Sequence, residues 1–286
     1  MTVSTRSRLR RIWFALLTTL GIARRGYFIP CRHAAPRPRA QDRSRDPALE
    51  ARFALHSKQF CAALDWLDAF AEDFSRIGDE PPPAPRWTQT WFPRLDAAVT
   101  YTFVRLLAPR RIVEIGSGHS TRFLARAVTD GGLQTQLIAI DPNPRASLGA
   151  LPVQLIRAAF QEAKESLYRD LAPGDFLMID SSHILMPGSD VDHFFSVVLP
   201  DLPAGVLMHF HDIFLPDDYP VNWHWRGYNE QLGVLPLLFG GAWRVLFASH
   251  YATTRMSGVV ASSAAARLPL PADARESGLW LRKCDQ

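Results

Sequence analysis

Three cysteines are too few and too scattered to hold this chain together. Cys31, Cys61 and Cys284 lie far apart and form no Cys-x-x-Cys pair, which argues against a disulfide framework and a thiolate zinc site. Such sparsity fits a reducing, cytoplasmic compartment. Long apolar runs are missing too. The run from Ile12 to Ala23 has 12 residues, short of the ~20 that a helix needs to span a bilayer. No small-x-small cleavage pattern follows it; Arg24-Arg25 does. Charge of one sign is also scarce. The net charge is +4, and much of it comes from Arg6, Arg8, Arg10, Arg11, Arg24 and Arg25. Beyond that end the charges are mixed, so no stripe for nucleic acid emerges. Internal repeats and low-complexity blocks are absent. Apolar side chains are plentiful, at 47% of 286 residues, enough for the core of one large domain or two small ones.

The stretch from Arg111 to Arg122 organises the rest. Ile112, Val113 and Ile115 read as a short buried strand. Gly116 and Gly118 then turn the chain into a segment with helical spacing that runs to Val128. Strand, glycine turn and helix present backbone N–H groups to a ligand. A second apolar run, Leu137 to Ile140, ends at Asp141-Pro142. Asp141 lies 27 positions after Glu114, so a carboxylate at the second strand tip can bind the two hydroxyls of a ribose. Further strands are expected at Val153–Ile156, Asp175–Asp180, Gly205–Asp212, Trp243–Ala248 and Gly258–Ser262. Strands alternating with helices predict a doubly wound parallel sheet. Ahead of it, Phe53, Phe60, Leu64, Leu67, Phe70 and Phe74 repeat at helical spacing, and the Pro- and Arg-rich stretch from Ala34 to Asp46 reads as a connector.

The loop has no third glycine, so the dinucleotide fingerprint is incomplete. Glu114-Ile-Gly116-Ser-Gly118 followed by Asp141 instead resembles the class I S-adenosylmethionine-dependent methyltransferases. That resemblance implies a Rossmann-like sheet of seven strands, mostly parallel, with an N-terminal helical extension. It implies cofactor contacts from Glu114, Gly116, Ser117, Gly118, Ser120 and Thr121, from Asp141 and Pro142, and from Asp180. The chain then divides into a basic and apolar segment (1–30), a helical extension with Pro-rich connectors (31–96), the cofactor-binding domain (97–265) and a tail (266–286).

Asp180-Ser-Ser-His183 and His209-Phe-His211-Asp212 fall at the tips of the fourth and fifth strands. Carboxylates and imidazoles gathered there are able to bind a divalent metal. The pair resembles the metal-dependent macrolide O-methyltransferases and the cephalosporin hydroxylase-like group. By that resemblance Asp180 and Asp212 are metal ligands, joined by His211 where the pattern has an acidic residue, and His183 is the base. An imidazole ligand leaves Mg, Mn or Fe open. Trp91, Tyr219, Arg226 and Glu230 are the candidates for acceptor contacts.

The function that follows is O-methylation of a small or sugar-like acceptor with divalent metal assistance. Two alternatives remain at this point: a metal-dependent oxygenase, since two histidines and a carboxylate hold non-haem iron, and a cofactor-binding partner without catalysis. The arginine-flanked run also has two readings. It lies on anionic lipid, making residues 6–25 a peripheral contact at the inner membrane, or it packs on the protein's own core.

Overall fold

The computed structural model describes residues 5–30, 32, 47–78 and 80–285; the expected connector at 34–46 lies outside them. The first half contains α1 (Thr5–Thr19), α2 (Pro47–Ala54), α3 (Ser57–Trp66), α4 (Ala71–Ser75), α5 (Arg94–Leu107), β1 (Arg111–Ile115), α6 (His119–Asp130) and β2 (Gln136–Ile140). After these come β3 (Gln154–Ile156), α7 (Ser166–Arg169), β4 (Phe176–Ile179), α8 (Asp190–His193), α9 (Leu199–Asp201) and β5 (Leu207–Phe210). The chain closes with α10 (Glu230–Phe239), β6 (Trp243–Ala248), α11 (Ser249–Arg255), α12 (Ser257–Ser262) and β7 (Leu279–Lys283).

The seven strands form one sheet in the order β3-β2-β1-β4-β5-β7-β6. Only β7 runs against its neighbours. Ile112, Val113, Phe176, Leu177 and Met178 are all buried, as expected where helices cover both faces of a parallel sheet. The registers align the strand ends: Ile115 pairs with Ile140 on one side and Ile179 on the other, and Ile179 pairs with Phe210. All four ends therefore reach the same edge of the sheet.

The last strand is not where the pattern put it. Gly258–Ser262 is the core of α12, and only Val260 in that helix is buried. Two adjacent valines in so short a run fit a helix as well as a strand. The seventh strand is Leu279–Lys283, which inserts between β5 and β6 with Leu279, Trp280 and Leu281 buried. The segment 266–286 therefore contributes to the sheet and is not a tail.

Helices α2 and α3 pack on the same core as the sheet. Phe53 stacks on Tyr251 at 5.5 Å, and Phe60 meets Phe247 edge-on at 5.7 Å. Arg255 ties this layer down, bonding Glu50 through Nη2 (3.0 Å) and Asp217 through the same nitrogen (2.9 Å). Helix α1 is different, because most of its side chains face solvent.

Trp280 is the test of β7. Its ring lies 5.1 Å from Phe103, 5.2 Å from Phe176 and 5.0 Å from His209. Trp280→Ala should cost about 3–5 kcal/mol of stability in a urea titration. Deletion of residues 279–286 should prevent folding altogether, whereas a free tail would leave the urea midpoint unchanged.

Candidate active site

Four strands end together, and the hydrogen-bond ladder runs one bond past each. The N–H of Gly116 donates to Ile140 O (2.8 Å), Asp141 to Ile156 O (3.0 Å), Asp180 to Ile115 O (2.9 Å) and His211 to Ile179 O (2.9 Å). These four residues stand in line at the carboxyl edge, where open α/β sheets bind ligands. A cavity of about 1140 Å³ opens there. Gly116, Ser117, Gly118, Ser120, Asp141 and Pro142 line it toward the first strands. Asp180, His183, His211, Asp212, Arg226 and Trp91 line it around the fourth and fifth.

The two glycines of the loop answer different demands. Gly116 has φ +95°, and a Cβ there would stand 2.2 Å from the Asp180 carbonyl oxygen. Only glycine permits both the backbone angle and that approach. Gly118 meets no such obstacle: a Cβ would find no protein atom within 4 Å. Its bareness leaves room at the cavity wall, as a close-lying ligand requires. Asp141 faces the same space, with Oδ2 accepting from Ser117 Oγ (2.7 Å) and Oδ1 from Asn143 N–H (2.8 Å). Each carboxylate oxygen keeps a lone pair for a further donor. Glycine wall and strand-tip carboxylate together fit S-adenosylmethionine.

Two residues expected on the cofactor are placed behind it. Glu114 and Thr121 are fully buried and do not line the cavity. Glu114 accepts hydrogen bonds from Ser120 Oγ and Thr121 Oγ1, and Thr121 Oγ1 in turn accepts the Gly118 N–H at 2.9 Å. Burial pushes the Glu114 carboxyl up to about 8, against the pull of those two hydroxyls. The pair braces the loop from inside.

Around β4 and β5 the charges meet. His183 Nδ1 donates to Glu230 Oε2 at 2.8 Å. Its Nε2 lies 3.4 Å from Asp180 Oδ1 and 3.6 Å from Asp212 Oδ2. His211 Nδ1 lies 3.5 Å from Asp180 Oδ1 and 3.5 Å from Asp212 Oδ1, while its Nε2 is 3.8 Å from Asp96 Oδ2. Burial alone would lower the His183 imidazole. Its hydrogen bonds to Asp180 and Glu230 and the nearby carboxylate charges outweigh that and hold it well above its ordinary value. For His211 burial is likewise overcome by the charges of Asp212 and Asp180, which push it up to about 9. Burial opposes ionisation of Asp180, yet the His211 charge and the imidazole hydrogen bonds hold it well below the usual carboxylate range. Burial pushes Asp96 up to about 6. His209 is pushed down to about 3 by burial and then by His211, and packs as a neutral ring against Trp280.

His183 and Asp212 also share a backbone feature, with φ of +59° and +56°. Non-glycine residues adopt that region at a cost of ~1–3 kcal/mol, and do so mostly where surrounding contacts hold them there. For His183 the contacts are two N–H groups, from Asn229 (3.0 Å) and Glu230 (3.3 Å), that donate to its carbonyl.

The positions of the metal and acceptor candidates follow from this arrangement. Asp180, His211 and Asp212 do come together, but as ion pairs. Among the described residues no three His, Cys, Asp or Glu side chains are arranged to hold a metal ion. Both imidazoles aim at carboxylates and favour the protonated form; to ligate a metal, either would first have to release that proton. The same geometry gives the two-histidine iron site of an oxygenase no support. Glu230, expected on the acceptor, is fully buried and accepts from His183 and from Ser181 Oγ (3.1 Å). Forty-seven positions separate it from His183, so no local motif reveals the partnership. Tyr219, the other misplaced acceptor candidate, lines a separate cavity of about 350 Å³. Trp223 and Tyr228 wall both cavities. Arg226 stays at the main one, its guanidinium 3.8 Å from the Trp223 ring centroid and 4.0 Å from Asp212.

Residues 113–213 match a family described as "Methyltransferase domain". No curated protein sequence matches the chain. Among solved structures, a Podospora anserina methyltransferase bound to S-adenosylhomocysteine is 15% identical; the match covers 91% of this chain and all of that one, with TM-score 0.41. An O-methyltransferase from Bacillus cereus in complex with S-adenosylhomocysteine is 13% identical, over 78% of this chain and 91% of that one, with TM-score 0.41. The mycinamycin-pathway methyltransferase MycE, in complex with Mg, S-adenosylhomocysteine and mycinamycin VI, is 16% identical over 76% of this chain and 54% of that one, with TM-score 0.38.

The glycine loop yields a paired prediction. Gly116→Ala should lower stability by about 1–3 kcal/mol or more, because a Cβ collides with backbone at a positive φ. Gly118→Ala should keep the wild-type melting temperature and weaken S-adenosylhomocysteine binding by about tenfold. Equal loss of stability in both variants would refute the division of roles.

Proposed function

We propose that this chain, which carries a class I S-adenosylmethionine-dependent methyltransferase domain, methylates a hydroxyl of a small or sugar-like acceptor, with His183 as the base. When bound, S-adenosylmethionine supplies an electrophilic methyl group on a cationic sulfur. Gly116, Ser117, Gly118, Ser120, Asp141 and Pro142 are the residues that would hold it. The acceptor would lie around β4 and β5, between Trp91 and the Trp223–Arg226–Tyr228 cluster. Aromatic faces suit the apolar side of a sugar or a planar ring, and Arg226 offers hydrogen bonds to its polar edge.

One observation carries this reading: His183 lines the cavity with Nδ1 pinned by the buried Glu230 and Nε2 beside Asp180 and Asp212. A carboxylate behind an imidazole fixes the ring and its tautomer, which leaves Nε2 as the nitrogen that exchanges a proton. Neutral His183 accepts the acceptor's hydroxyl proton at Nε2. Asp180 and Asp212 stabilise the imidazolium that results. Positioning by the cavity walls contributes the rest.

The sign of the pH dependence follows from the carboxylates. They favour the protonated imidazole, so the neutral base forms only above the ordinary imidazole range and turnover should climb with pH there. His183→Ala should lower kcat by about 10²–10⁴-fold with cofactor affinity nearly unchanged. Glu230→Gln removes an anion, so the kcat profile should shift to lower pH while the maximum falls. Chelators should leave the rate intact. The readout is methyl transfer from labelled cofactor to cell-extract acceptors; undiminished turnover in His183→Ala would remove the base from the account.

A further inference from the structure

Helix α1 turns its apolar stripe outward. Leu9, Ile12, Trp13 and Leu16 follow i, i+3, i+4 and i+7 spacing, with Leu20 one turn on, so they share one helix face. Between 49% and 67% of each side chain is open to solvent. Phe14 and Leu17, which are half-buried, lie off that face, and the helix touches the turn Val221–Arg226. Ile22, Phe28 and Ile29 extend the exposed apolar surface beyond the helix end. Globular proteins seldom leave a contiguous patch of this kind uncovered. The stripe does not pack on the protein's own core, and no helix of the described residues is long and apolar enough to cross a membrane.

The charge of this region says what covers it. The first 40 residues hold nine arginines and no Asp or Glu, whereas the remainder of the chain has more acidic than basic side chains. Arg10, Arg11, Arg24 and Arg25 are exposed beside the stripe. A second copy of the chain docked symmetrically on this face would set one arginine cluster against another. A surface of negative charge over hydrocarbon matches both the stripe and its flanks.

We propose that α1 docks this protein on an anionic lipid bilayer, lying in the headgroup layer with Leu9, Ile12, Trp13, Leu16 and Leu20 turned down. The turn that α1 touches also supplies Trp223 and Arg226 to the cavity wall. Docking therefore holds the acceptor part of the cavity close to the membrane surface. None of this depends on methyl transfer, and the test below reads lipid binding alone.

The full chain should co-sediment with vesicles of phosphatidylcholine mixed with phosphatidylglycerol, and bind vesicles of phosphatidylcholine alone at least about tenfold more weakly. Raising salt toward ~1 M, where the screening length falls to ~3 Å, should release it. Ile12→Asp with Leu16→Asp should reduce binding more than about tenfold, since it opposes burial of the stripe. Arg10→Ala with Arg11→Ala should cost about fivefold per arginine, and circular dichroism should show both variants folded. Absence of binding to the anionic vesicles overturns the proposal. So does binding that survives the two aspartates. A dimer that dissociates in the aspartate variant, without any vesicle binding, would assign the stripe to a second copy instead.

Discussion

The contact between Gly116 and the Asp180 carbonyl is the constraint on which the site rests. It draws the loop after β1 against the end of β4, so the glycine turn and the charged cluster share one cavity. Any side chain at 116 would separate them. The ladder bonds at Gly116, Asp141, Asp180 and His211 extend the same alignment across four strands. A parallel sheet thus converts backbone pairing, which is indifferent to sequence, into a row of chemically distinct groups at one edge. Glu114, Ser120 and Thr121 stiffen that row from below.

Burial sets the second constraint. Asp212, Glu230 and Asp96 are buried around two imidazoles, and Asp180, whose side chain is 37% exposed, completes the group on the cavity side. Isolated charges there would be costly. Pairing with His183 and His211 offsets the cost, and the imidazoles respond by holding their protons. The pairing that offsets this cost therefore also sets where the two imidazoles titrate. The donors that would converge on an ion are paired with each other here.

Much of this was legible beforehand. Strands β1, β2, β4, β5 and β6 were readable as short runs rich in apolar residues, with β1, β2 and β4 ending at Gly116, Asp141 and Asp180. Asp141, Asp180 and His211 were therefore placed at their strand tips from spacing alone. Other features were hidden for physical reasons. Leu279-Trp280-Leu281 is a short run near the end of the chain, and its burial depends on β5 and β6 rather than on any pattern of its own. Glu114 lies in β1 and Thr121 in the first turn of α6, both buried, so no alternation tells which side faces the cavity. Glu230 meets His183 only through the fold. The helical spacing of Phe60 and Leu64 was readable, but neither the packing of α3 on β6 nor the outward stripe of α1 was, because an amphipathic pattern does not say what covers its apolar side.

Calorimetric titration of the purified chain with S-adenosylmethionine tests the central claim most directly, with Asp141→Ala titrated beside it. The glycine wall and the Asp141 carboxylate require that the wild type bind. Loss of charge-assisted hydrogen bonds worth ~1.5–3 kcal/mol each should then weaken the variant by roughly 10- to 150-fold. No heat of binding to the wild type, or tighter binding of a nicotinamide dinucleotide, would contradict the assignment of this edge to S-adenosylmethionine.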